Sequence, residues 1–158
     1  MTSKITSREI ELAQKSWADG LILIGESYAK NEDYKSLASS IIDELYGYNL
    51  GDGKVLFKPT KAKSSPFRPT KKGALSYFVG GDEAFSEDKG FALSRWSKID
   101  FKNNQIFDDG DIVIAMGEYD FTDSAGSVVT VEYTFGYKKN EDGKVKIILH
   151  HSSIPFSG

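Results

Sequence analysis

Beyond Gly90 the chain alternates apolar and polar residues with a period of two, over residues 95–107, 111–122, 127–138 and 144–154. That period belongs to strands with one buried face, because successive side chains on a strand point to opposite sides. The connections carry turn chemistry: Asp108-Asp109-Gly110, Asp123-Ser124-Ala125-Gly126 and Asn140-Glu141-Asp142-Gly143. In such turns Asp and Asn bond nearby backbone and Gly accepts a positive φ. Four consecutive strands joined this way form an antiparallel meander. Gly117 and Gly136 fall inside strands and predict bends or bulges that curve the sheet.

Ahead of the sheet the period is helical. Thr6-Ser7-Arg8-Glu9 offers an N-cap hydroxyl with acidic residues in the first turn. Ile10, Ala13, Trp17, Leu21, Ile24 and Tyr28 then recur at helical spacing to about Lys30. A second helix follows Asn31-Glu32-Asp33, carries Leu37, Ile41, Ile42 and Leu45, and stops at Gly47. Val55-Leu56-Phe57-Lys58 is a short strand ended by Pro59-Thr60, and residues 61–69 form a loop with Pro66 and Pro69. Thr70 caps a third helix bearing Leu75, Tyr77 and Phe78, closed by Gly80-Gly81. Helices first and an antiparallel sheet afterwards is the α+β class. With 158 residues and no internal repeat, the expectation is a single domain, 1–158, whose curved sheet wraps the helices into a cone with a pocket at its open end.

Composition narrows the chemistry. The net charge is −3, with lysines scattered among carboxylates, so no phosphate-binding surface is expected and no nucleic-acid partner. No apolar run approaches membrane-spanning length, and Met1-Thr2-Ser3-Lys4 shows no targeting pattern, which leads to an expectation of a cytoplasmic protein, or a stromal one after removal of a leader. There is no cysteine, and the two histidines, His150 and His151, are adjacent. On a strand at most one of them enters a given pocket. Zinc sites draw on several nitrogen or sulfur ligands, so no tightly held transition metal and no cofactor is expected.

The last strand therefore holds the sharpest candidates. Strict alternation divides Val145, Ile147, Leu149, His151 and Ser153 from Lys146, Ile148, His150, Ser152 and Ile154. One His/Ser pair faces the pocket, and periodicity does not choose which. Thr60 and Tyr77 lie where the first strand and third helix should border the cone. Together they would set several donors and acceptors around one water. Glu118, Asp120 and Glu132 offer a rival, a cavity carboxylate beside a tyrosine, as an isomerase or cyclase would use. A further alternative is a non-catalytic module that binds a small ligand or oligomerises. Gly80-Gly81-Asp82-Glu83 lacks phosphate-loop spacing and reads as a helix stop.

The order of elements and the ending Ile148-Leu149-His150-His151-Ser152-Ser153-Ile154-Pro155-Phe156 resemble the nuclear transport factor 2-like superfamily, in the branch related to the association domain of calcium/calmodulin-dependent protein kinase II. With Val55-Leu56-Phe57-Lys58-Pro59-Thr60 and Gly73-Ala74-Leu75-Ser76-Tyr77-Phe78 upstream, the chain is similar to the iota-class carbonic anhydrases of cyanobacteria and algae from about Ser7 to Phe156. The resemblance implies reversible hydration of carbon dioxide to bicarbonate without a metal. It also implies a pocket of Thr60, Tyr77, His150 and Ser152, with Thr60, Tyr77 and Ser152 holding substrate. His151 and Ser153 would replace His150 and Ser152 if the other face lines the pocket. Relatives of this shape are often dimers, and an outer sheet face rich in Val, Tyr and Phe would need covering, so a homodimer is expected.

Overall fold

The computed structural model describes residues 4–158, so the expectation about targeting in residues 1–3 falls outside it. Helix α1, Ser7–Ala29, opens on a capping box: the Thr6 hydroxyl accepts the Glu9 N–H at 3.1 Å, and the Glu9 carboxylate accepts the Thr6 N–H at 2.9 Å. Its buried stripe is Ile10, Trp17, Leu21 and Ile24. Helix α2, Tyr34–Leu45, is capped by Asp33, and the buried Lys146 donates to the carbonyls of Asp43 and Glu44 at its other end. Helix α3, Lys71–Val79, starts at Thr70 and ends at Gly80, whose φ of +67° suits glycine.

Strands β1 (Leu56–Lys58), β2 (Lys98–Asp109), β3 (Ile112–Thr122), β4 (Val128–Lys139) and β5 (Val145–Ser153) form one sheet in the order β1-β5-β4-β3-β2. The meander is as expected. What local pattern does not announce is the parallel pairing of the first strand with the last, which sets Phe57 beside His150. The expected strand start at 95 is corrected to Lys98. Residues Phe91–Ser94 make a 3-10 turn and Arg95 adopts φ +58°. Trp96 is thereby turned inward, its Nε1 donating to the Phe91 carbonyl at 2.9 Å, and extension begins only after this reversal.

Two irregularities shape the sheet. Opposite Gly117, the register between β2 and β3 skips Asn104, and a Cβ on Gly117 would run into the Lys102 carbonyl oxygen. Between β4 and β5, Gly136 pairs with Leu149 while Tyr137 pairs with Ile147, which makes Ile148 the extra residue of a bulge. The bulge resets the parity of β5. Strict alternation separates Ile147 from His150, whereas the structure turns Ile147, His150 and Ser152 inward together and leaves His151 exposed.

The inner face carries Tyr119, Phe121, Val131, Tyr133, Phe135 and Tyr137 against α1. This corrects the expectation of a Tyr- and Phe-rich outer face. Around its centre the outer face presents Lys102, Glu118, Glu132, Thr134 and His151, and its exposed apolar residues include Phe107, Ile112 and Met116 towards the β2–β3 turn. Because the Gly117 site has backbone where a methyl group would stand, Gly117→Ala should lower the unfolding free energy by about 1–3 kcal/mol in urea denaturation. Wild-type stability in that variant would contradict the bulge geometry.

Candidate functional site

Strand register builds the site from the edge inward. Phe57 on β1, His150 on β5 and Phe135 on β4 are direct neighbours across three strands. Their rings stack: Phe57 lies 4.8 Å from the imidazole at 14°, and Phe135 lies 4.0 Å away at 22°. Trp17 of α1 meets the imidazole edge-on at 5.6 Å. Both imidazole nitrogens find partners within this aromatic cage. Nδ1 is 2.7 Å from the Tyr46 hydroxyl, which accepts the Trp17 indole N–H at 3.0 Å. Tyr46 is delivered there because it ends α2 and its backbone bridges to Ile147 of β5. Nε2 is 2.9 Å from Ser152 Oγ and 3.0 Å from the Tyr119 hydroxyl, and these two hydroxyls bond to each other.

The cluster is polar but uncharged. Burial pushes the His150 pKa well below the usual imidazole value, and neighbouring His151 acts in the same direction. Burial likewise pushes the phenols of Tyr46, Tyr77 and Tyr119 upward, so they keep their protons. Such a set can orient a water or the oxygens of a small anion through hydroxyl dipoles. None of these groups is a strong base at neutral pH.

Thr60 and Tyr77 form a second pair nearby. The Tyr77 hydroxyl accepts the Lys61 N–H at 3.2 Å, and Thr60 beside it tempers the upward push of burial on its pKa. Phe57 stands between the two pairs, stacked on His150 and edge-on to Tyr77 at 6.0 Å. Tyr77 is also close enough to Tyr119 to act on it electrostatically. A cleft of about 460 Å³, lined in part by Lys61, Tyr77, Glu87 and Phe91, reaches Tyr77 from outside. Behind it Arg68, fully buried, forks onto Asp88 at 2.7 and 2.8 Å and donates to the Gly73 carbonyl at 2.7 Å. Glu87 accepts the backbone N–H groups of Lys63, Ser64 and Ser65. These bonds bracket the 61–69 loop against α3.

The structure thus turns His150 and Ser152 inward, 2% and 1% exposed, rather than His151 and Ser153. The carboxylates lie elsewhere. Glu118 and Glu132 are exposed on the outer face, and Asp120 binds Lys102 and Thr130 there, each at 2.7 Å. An isomerase built on them has no cavity carboxylate. Sequence reasoning missed Tyr119, Tyr46, Trp17 as a donor, and Arg68. Tyr119 had a signal, since it sits between Glu118 and Asp120 and must point the other way. Trp17 reads only as part of the apolar face of a helix, and nothing in the sequence singles out Tyr46 or Arg68. Among the described residues, no group of three or more His, Cys, Asp or Glu is placed to hold a metal ion, and no helix is long and apolar enough to cross a membrane.

Comparison with known proteins finds relatives over nearly the whole chain. Residues 8–154 match the family model described as metal-independent carbonic anhydrase. The chain is 48% identical over 155 residues to a metal-independent carbonic anhydrase of Nostoc sp. strain PCC 7120, covering 96% of this chain and 75% of that one. It superposes with a TM-score of 0.95 on the crystal structure of an iota-carbonic anhydrase from a cyanobacterium complexed with bicarbonate, at 45% identity and over 100% of this chain and 97% of the other. A protein of the NTF2-like family from Streptomyces avermitilis aligns over 95% of this chain and 96% of its own, at TM-score 0.56 and 16% identity, a likeness of fold alone.

The depressed His150 pKa has a consequence for stability. An unfolded chain protonates its imidazole near the ordinary value of 6.5 before the folded chain does, so stability is full above that pH and is lost as pH falls towards the folded value. Between pH 6.5 and about 5.5 the unfolding free energy should fall with a slope approaching about 1.4 kcal/mol per pH unit. His150→Gln should remove that slope in urea denaturation series; a wild-type protein with flat stability across this window would contradict a buried neutral ring.

Proposed function

This chain belongs to the metal-independent carbonic anhydrases, and from that premise we propose that it catalyses the reversible hydration of carbon dioxide to bicarbonate and a proton. The observation that carries the proposal is the buried, uncharged cluster of His150, Ser152 and Tyr119, with Phe57 stacked on His150 and edge-on to Tyr77. The bicarbonate complex of the cyanobacterial relative at TM-score 0.95 supports the same substrate.

In a zinc enzyme the ion lowers the pKa of its water to about 7. Here hydroxyl dipoles take that part. A water held among the Tyr77, Thr60 and Ser152 oxygens attacks the carbon of carbon dioxide and releases one proton as the C–O bond forms. The O–H groups then meet the negative charge that develops on the carbonate oxygens. Carbon dioxide, being apolar, rests against aromatic wall, and Phe57 stands where such a wall is needed. Of the two proton routes open from sequence, to the imidazole or to solvent, burial of His150 favours solvent. His150 then orients its neighbours.

Without cysteine, the chain suits a reducing cytoplasm. We place a second copy against the exposed Phe107, Ile112 and Met116, the apolar end of the outer face, as a homodimer.

Stopped-flow proton release in carbon dioxide-saturated buffer tests the activity. Chelator-treated wild type should keep its rate, while Tyr77→Phe and Ser152→Ala should each lower kcat by about a hundredfold or more. Full activity in both variants would reject the assignment. An inert wild type would leave a ligand-binding module, and loss of a stoichiometric divalent ion together with activity would overturn the metal-independent scheme.

A further inference from the structure

The directions of the hydrogen bonds around His150 follow from the donor that has no choice. The Trp17 indole nitrogen can only donate, so the Tyr46 oxygen accepts from it at 3.0 Å. Among the described residues the remaining partner of that hydroxyl is His150 Nδ1, at 2.7 Å. Tyr46 is 1% exposed, and a buried hydroxyl proton without an acceptor is costly. The Tyr46 proton therefore points at Nδ1, Nδ1 is the bare nitrogen, and the neutral ring carries its hydrogen on Nε2.

That choice propagates to the far side of the ring. Nε2–H donates towards Ser152 Oγ and the Tyr119 hydroxyl and can accept from neither. The two hydroxyls bond to each other, which uses one of their two protons. The other proton finds no acceptor within the triangle, and it escapes the cost that decides Tyr46 because the proposed site sets a carbonate or water oxygen against Ser152 and Tyr119, whereas among the described residues the Tyr46 hydroxyl, anchored by Trp17, has Nδ1 alone to donate to. Under the opposite tautomer Nε2 would accept it, the triangle would close on itself, and only lone pairs would face outward.

We propose that Tyr46 is a positioning residue: by donating to Nδ1, with its own oxygen anchored by Trp17, it holds His150 as the Nε2–H tautomer and so obliges the Tyr119–Ser152 pair to offer one O–H to a carbonate oxygen. This rests on the hydration reading, which supplies the acceptor for that second proton. The Trp17–Tyr46 pair thus sets the polarity of a site it does not touch.

Nitrogen NMR of 15N-histidine-labelled protein reads the tautomer directly, with His151→Gln, on the exposed outer face, leaving a single imidazole. The protein should show a bare Nδ1 and a protonated Nε2. Tyr46→Phe should lose this single tautomer and lower kcat about ten- to a hundredfold with KM little changed. A protonated Nδ1 in the parent protein, needing no variant to fold, would overturn the proposal, as would a Tyr46→Phe protein that keeps both the single tautomer and full kcat. The expected tautomer in a protein that does not hydrate carbon dioxide would uphold the wiring and reject the functional reading instead.

Discussion

The structure turns on an imidazole that is kept uncharged. His150 is held between the faces of Phe57 and Phe135, with Trp17 edge-on and Tyr46 at one nitrogen. A charged ring in that cage would lose its hydration with no carboxylate to replace it, so the neutral form is the one the fold accepts. Holding it there needs three strands in register, a helix delivering Trp17 and a second helix ending on Tyr46. The parallel contact of β1 with β5 and the Ile148 bulge exist in service of the same row of rings.

A site of this kind reaches for preorganisation instead of charge. Arg68, Asp88 and Glu87 hold the loop that carries Thr60 and Lys61, while the inner face of the sheet holds Ser152 and Tyr119. The two halves of the hydroxyl set thus come from elements fixed independently, by a buried ion pair on one side and an aromatic core on the other. Dipoles fixed in advance need not reorganise as charge develops, which is where their advantage over water lies.

What was legible in the sequence was local. The Thr6 capping box, the Thr70 cap, the Gly80 stop and the three hairpin turns are each specified by residues within a few positions of one another. The outlines of α1, α2, α3 and the meander could be read from them. Gly136 announces a bulge, but not that Ile148 on the partner strand is the extra residue, and so strict alternation puts Ile147 on the wrong face of β5. The family ending led to His150 and Ser152 where periodicity alone could not choose. Trp17 and Tyr46 were invisible as polar partners because an aromatic ring on a core face looks the same whether or not its N–H or O–H is employed.

The central claim is that neutral hydroxyls, arranged by a neutral imidazole, form the carbonate site. A crystal structure of this protein soaked in bicarbonate tests it most directly. A planar anion hydrogen-bonded by the Tyr77 and Ser152 hydroxyls, with His150 touching those hydroxyls rather than the anion, is the result expected. An anion seated beside His151 on the outer face, or a cation bound to the His150 ring, would contradict it.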